Sequence, residues 1–129
     1  MDVSIEVRAA RPVGRRFPER CASRTVLDHV TSKWGVLVLV ALADGTARWG
    51  ELRRAIEGIS EKMLAATLRT LEADGFVRRT AHPEVPPRVE YSLEPRGEEL
   101  VARLLPLMDW IVENADDIVG GRPEAVRAP

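Results

Sequence analysis

The chain has 129 residues, 45% of them apolar, with 19 Lys and Arg against 20 Asp and Glu for a net charge of −1. That length and apolar content suit one packed domain. No stretch of about 18 apolar residues offers a membrane span, the N-terminus lacks the apolar centre of a signal peptide, and one cysteine fits a reducing cytoplasm and excludes an internal disulfide.

The near-zero net charge averages over unlike regions. Residues 1–20 carry five Arg and three acids, residues 46–96 nine basic and eight acidic groups, and residues 97–129 three basic and seven acidic. Local sign matters more to a phosphate than the total. Residues 1–20 read as a flexible basic arm, rich in Arg and Pro without an apolar period.

Order is expected from Cys21. Ser23 is placed to cap a short helix through about Val30, with Val26, Leu27 and Val30 on one face. Residues 34–43, WGVLVLVALA, are almost wholly apolar. Their β-branched content suits a strand, but their length and the Asp44-Gly45 stop suit a buried helix, which the helical neighbours favour. Residues 46–48 form a short extended piece. Trp49 or Gly50 then opens a helix with Leu52, Ala55 and Ile56 inward and Glu51, Arg53 and Arg54 outward, ended by a left-handed Gly58.

Ser60 is a good cap for the next helix, through about residue 73, with Ile59 stapling the turn. Leu64, Leu68 and Leu71 give its inner stripe, and Asp74-Gly75 stops it. Residues 76–81 and 88–93 alternate like antiparallel strands, and HPEVPP between them has too many prolines to pair. Pro95 suits the first turn of a last helix, where Leu100, Leu104, Leu107, Met108 and Ile111 repeat at helical spacing. Pro106 should bend that helix or remove a hydrogen bond. Residues 120–129 read as a disordered tail.

Helix, turn, helix and hairpin in this order describe a winged helix-turn-helix: an α+β, mainly α fold with a two-stranded β-wing. At about 100° per residue, Lys62, Ala66, Arg69 and Ala73 lie opposite the leucine stripe, with Met63 and Thr70 beside them. One greasy face and one face of small residues and long donors is what major-groove reading requires. Alanine permits close approach and can touch a thymine methyl, Ser60 and Lys62 stand at the helix N-terminus, and Arg69 can donate to phosphate or guanine. In the wing, residues 82–88, Arg88 and the neighbouring Arg78 can grip a flanking minor groove or phosphates. Glu90 is expected to pair with an arginine such as Arg69 or Arg88.

GELRR (50–54), GIS (58–60), KML (62–64), the Leu68-to-Gly75 pattern and, most specifically, PEVPPRVEYSL (83–93) resemble the HxlR-type winged helix-turn-helix regulators of the MarR-like superfamily. Lys33-Trp34 and a long C-terminal segment with Gly97 and Trp110 also fit, so the likeness covers about residues 21–112. It implies a bacterial, cytoplasmic homodimer that binds double-stranded DNA at a pseudo-palindromic operator, its subunits joined through the last helix (95–119) and the N-terminal segment. The broad stripe of Leu100, Leu104, Leu107, Met108, Trp110 and Ile111 agrees. Trp49 stands where the family commonly has Phe, Ala65 and Ala66 replace residues that are often polar, and Glu94 replaces a usual Thr.

Cys21 lies before the first helix between Arg20 and Arg24, surroundings that make a thiol more reactive. Some members of the family resemble redox or electrophile sensors with a cysteine here, so oxidation or alkylation of Cys21 is one route for a signal, and a small-molecule effector between the subunits is another. A winged-helix protein-interaction module without DNA binding also remains open, given the near-neutral charge and Ala65 and Ala66. His29 and His82 lack metal-ligand spacing. No nucleophile motif or phosphate loop appears, so neither an enzyme nor a cofactor or metal is expected.

Overall fold

A computed structural model describes residues 18–121. The tail after Gly121, and the basic arm except its last three residues, lie outside the described residues. In chain order the elements are α1 (Ala22–Val30), α2 (Lys33–Ala41) with a 3-10 turn (Leu42–Asp44), β1 (Ala47–Arg48), α3 (Trp49–Ala55), α4 (Glu61–Ala73), β2 (Val77–His82), β3 (Arg88–Leu93) and α5 (Pro95–Gly120).

The first helix starts ahead of Ser23. Cys21 holds the extended N-cap position and contributes no side-chain cap, so Ser23 lies within the helix. The apolar stretch that follows is helical. Ser32 makes it so at its start: its hydroxyl accepts from the Gly35 amide at 3.0 Å and donates to the His29 carbonyl at 3.1 Å. Val38 and Leu39 are fully buried and Leu42 nearly so. Burial on most sides overrides the local strand preference of the valines.

Helix α3 ends at Ala55, before the glycine expected to cap it. Leu52 and Ile56 are buried, whereas Ala55 is exposed. The chain then turns through Gly58 at φ +90°, a backbone that a Cβ would strain, and Ile59 plugs the turn at 4% exposure. Ser60 caps α4 by accepting from the Met63 amide at 3.0 Å. Gly75, at φ +81°, turns the chain into the sheet.

The sheet has three antiparallel strands in the order β1-β3-β2. The hairpin of β2 and β3 pairs Val77 with Leu93 through His82 with Arg88. The short extended piece adds a third strand through Ala47–Tyr91 and Arg48–Glu90. Buried residues from all these helices and from β2 and β3 form one core, in which Leu39, Leu52, Leu64, Leu68, Leu71 and Val77 are among the deepest side chains. Burying each such leucine is worth about 1.5–3 kcal/mol.

Pro95 sits in the first turn of α5, and the helix is a single element through Pro106, whose missing N–H costs one ladder bond. Gly97 passes close to the backbone of β2's entry. A Cβ there would lie 3.0 Å from the Phe76 carbonyl carbon and closer still to its oxygen. That oxygen also accepts from the Glu94 amide at 2.9 Å. Leu104, expected between subunits, instead closes the protomer's own core at 7% exposure, and Leu100 packs against that core. Among the described residues no single helix is long and apolar enough to cross a membrane.

Candidate nucleic-acid interface

Helix α4 is held on one side only. Leu64, Leu68 and Leu71 point into the core at 2% exposure or less. Lys62 and Arg69 project from the other side, exposed and without an ion pair among the described residues. Between them Ala66 adds almost no bulk. Glu61, on one flank, reaches Arg53 of α3 at only 3.9 Å.

Met63, Ala66 and Thr70 do not all face straight out. They form one wall of a shallow recess of about 210 Å³ whose other wall includes His29 and Ser32. Met63 is 41% exposed, whereas Ala66 and Thr70 are half-buried. The outermost donors on the helix are therefore Lys62 and Arg69, and the other three shape the flank facing α1.

The wing carries ion pairs at its base. Arg88 forms an ion pair with Glu84 at 3.1 Å through one Nη and lies 3.8 Å from Glu90 through the other. Its Nε is buried without a hydrogen-bond partner. Arg88 is thus a clamp at the base of the wing, and a phosphate must compete with two carboxylates to reach it. Glu90 was expected to pair with Arg69 or Arg88. It does pair with Arg88, at 3.8 Å, and its hydrogen bond runs to Nε2 of His82 at 2.7 Å. The strand register explains this: His82 faces Arg88, so Glu90 is its diagonal neighbour. The His82 hydrogen bond holds the Glu90 carboxyl below the ordinary carboxylate range. Partial desolvation opposes that shift, and the charges of Arg88, His82 and Arg48 add to it. Arg78 is likewise engaged, with Glu94 at 2.7 Å, while Arg79 beside it is exposed and has no ion pair among the described residues.

Away from this face two helices leave apolar surface uncovered. On α1, Val26 and Leu27 are 42% and 48% exposed. On α5, Leu107, Trp110 and Ile111 are 53%, 55% and 41% exposed, and Met108 is half-buried. Cys21 is a free, half-buried thiol at the start of α1.

The profile of HxlR-like helix-turn-helix proteins matches residues 29–118, from the end of α1 almost to the end of α5. The chain belongs to the HxlR-like family of helix-turn-helix transcriptional regulators. An uncharacterised HTH-type transcriptional regulator of Escherichia coli K12, YtfH, is 55% identical over 111 residues, covering 86% of this chain and 88% of that one. The solved structure of a YtfH protein from Salmonella typhimurium is similar at a TM-score of 0.76 and 55% identity, covering 81% of this chain and 93% of that one. The redox regulator HypR in its oxidised form is similar at a TM-score of 0.68 and 38% identity, over 73% of this chain and 97% of that one.

In this HxlR-type chain several polar features escape a reading of the sequence. Arg53 and Arg54 sit on α3, the helix that crosses the phosphate backbone in helix-turn-helix docking, and both are exposed. Their outward placement was visible, but nothing in the spacing tied them to DNA. The contact between His29 and Asp74, 2.6 Å long, joins residues 45 apart in sequence. No local pattern signals a pair at that separation.

Proposed function

We propose that this regulator binds a pseudo-palindromic DNA operator as a homodimer in the cytoplasm. Helix α4 enters the major groove and the wing lies on the flanking backbone or minor groove. The observation that carries this reading is the one-sided burial of α4, which leaves Lys62 and Arg69 as unpaired donors opposite a closed leucine stripe. Val26 and Leu27 with Leu107, Met108, Trp110 and Ile111 form the contact between subunits. Leu100 and Leu104 contribute by holding α5 to its own core.

The test is an electrophoretic shift on the DNA flanking this protein's own gene, comparing wild type with the Lys62→Ala/Arg69→Ala double variant across a salt series. Each lost phosphate contact lowers the slope of log K against log salt by about 0.9. A dimer losing four such contacts should flatten by roughly 3–4. Wild-type binding that barely responds to salt, or a double variant with the wild-type slope, would sink the assignment of this helix and favour an apolar protein-binding module.

A second reading is supported by one feature together with the comparison. Cys21 stands at the junction where α1 begins, and a redox regulator is among the similar structures. In this reading oxidation or alkylation of Cys21 shifts α1 and with it the dimer. A folded protein that takes up no thiol probe would eliminate it.

A further inference from the structure

We infer that Asp74 is a positioning node that fixes the tilt of α4 against both helices of the subunit contact, and so sets the half-site spacing the dimer accepts. The inference rests on the dimeric DNA-binding reading above. Asp74 is the C-cap residue of α4, at the opposite end from Lys62. Its carboxylate accepts from Nδ1 of His29 on α1 at 2.6 Å. Its backbone carbonyl accepts from Nη1 of Arg96, in the first turn of α5, at 3.4 Å. One residue at the end of the reading helix therefore touches α1 and α5, and these are the two helices with uncovered apolar surface.

The His29 and Asp74 side chains are 34% and 22% exposed, so water screens the pair only in part. On α1, His29 leaves the helix about 160° round from Leu27. A shift of α1 at a subunit contact through Leu27 is thus delivered to the far side of the helix, where Asp74 waits.

The lever is long enough to matter. Thirteen residues of α4 at about 1.5 Å each span roughly 20 Å. A tilt of about 10° around the Asp74 end displaces the Lys62 end by roughly 3.5 Å, close to the rise of one base pair, about 3.4 Å. In a symmetric dimer both reading helices move together, and spacing between half-sites is a geometric property of the pair. A pair that served only to stabilise the fold would weaken binding equally at every spacing.

The experiment uses the full chain. Wild type is first used to select sites from a random-sequence duplex pool. The recovered half-sites are then placed at the selected spacing and at one base pair more or less. Wild type should prefer its spacing by about tenfold or more. His29→Ala and Asp74→Ala should retain the half-site sequence but discriminate spacings by no more than about threefold. Asp74→Asn, whose amide oxygen still accepts from His29, should restore the preference. His29 lies at the surface, so its variant reports even if Asp74→Ala fails to fold. A folded variant with the wild-type spacing ratio, or with affinity lowered equally at all spacings, overturns the inference and leaves DNA binding intact. A wild-type protein that enriches no duplex overturns the DNA-binding reading, and this inference falls with it.

Discussion

Gly97→Ala sets two effects of opposite sign against each other. Gly97 lies in the first turns of α5, a 26-residue helix, where alanine is favoured over glycine by about 0.5–1 kcal/mol. The surroundings oppose the change. The new Cβ would sit 3.0 Å from the Phe76 carbonyl carbon, closer to its oxygen, and 3.2 Å from a Leu93 methyl. The oxygen belongs to the backbone and already holds the Glu94 amide at 2.9 Å, so it cannot swing aside as a side chain would. Relief requires α5 to lift from the start of β2, with overpacking that costs about 1–3 kcal/mol and a strained hydrogen bond worth about 1 kcal/mol. The net expectation is a loss of about 2 kcal/mol, or a fall in Tm of roughly 10 °C for a domain of this size. Thermal unfolding followed by circular dichroism checks it, at one fixed protomer concentration because association shifts Tm. Gly120→Ala is the control: beyond its own helix backbone and chain neighbours, no atom among the described residues lies within 4 Å of its added Cβ, so its Tm should hold or rise slightly. A Gly97→Ala Tm equal to or above wild type would refute the packing argument and leave helix propensity as the governing effect.

Ser60→Ala should cost about 1 kcal/mol, the usual worth of an N-cap, read from the urea midpoint, because the Met63 amide loses its partner. Glu90 has a lowered folded-state pKa, so its contribution is complete above the unfolded carboxylate value and is lost as pH falls through the folded one. Glu90→Gln should therefore flatten the acid-side decline of the urea midpoint, and a decline identical to wild type would contradict the His82 contact as its source. Trp110→Glu places a charge on apolar surface that is 55% exposed; under the proposed dimeric reading, sedimentation should show a dimer for wild type and a folded monomer for the variant.

The parts legible in the sequence are those written locally. Ser60, the leucine stripe and Gly75 delimit α4 within a short window, and the prolines of HPEVPP declare the loop between β2 and β3. Helix α2 was harder, because its valines suit a strand; the Ser32 cap and burial on most sides decided for helix. The stripe on α5 misled at Leu104 for a geometric reason. When apolar residues cover most of a helix's circumference, spacing alone does not say which of them meet the chain's own core and which face outward. The His29–Asp74 contact and the clamp around Arg88 depend on which elements fold together, information that periodicity does not carry. The third strand, two residues long, is too short to show any alternation.

The order β1-β3-β2 leaves two sheet margins, and each discourages extension by another chain. One margin is β1, with only two residues of backbone to offer. The other is β2, where Arg78 and Arg79 are adjacent and exposed, so a like strand laid alongside would bring arginines against arginines. A crowded population of this regulator is thereby kept from growing into ribbons through its sheets. Among the described residues, the exposed large apolar side chains other than Val85 of the wing lie on helices, whose surfaces can close on a partner and stop.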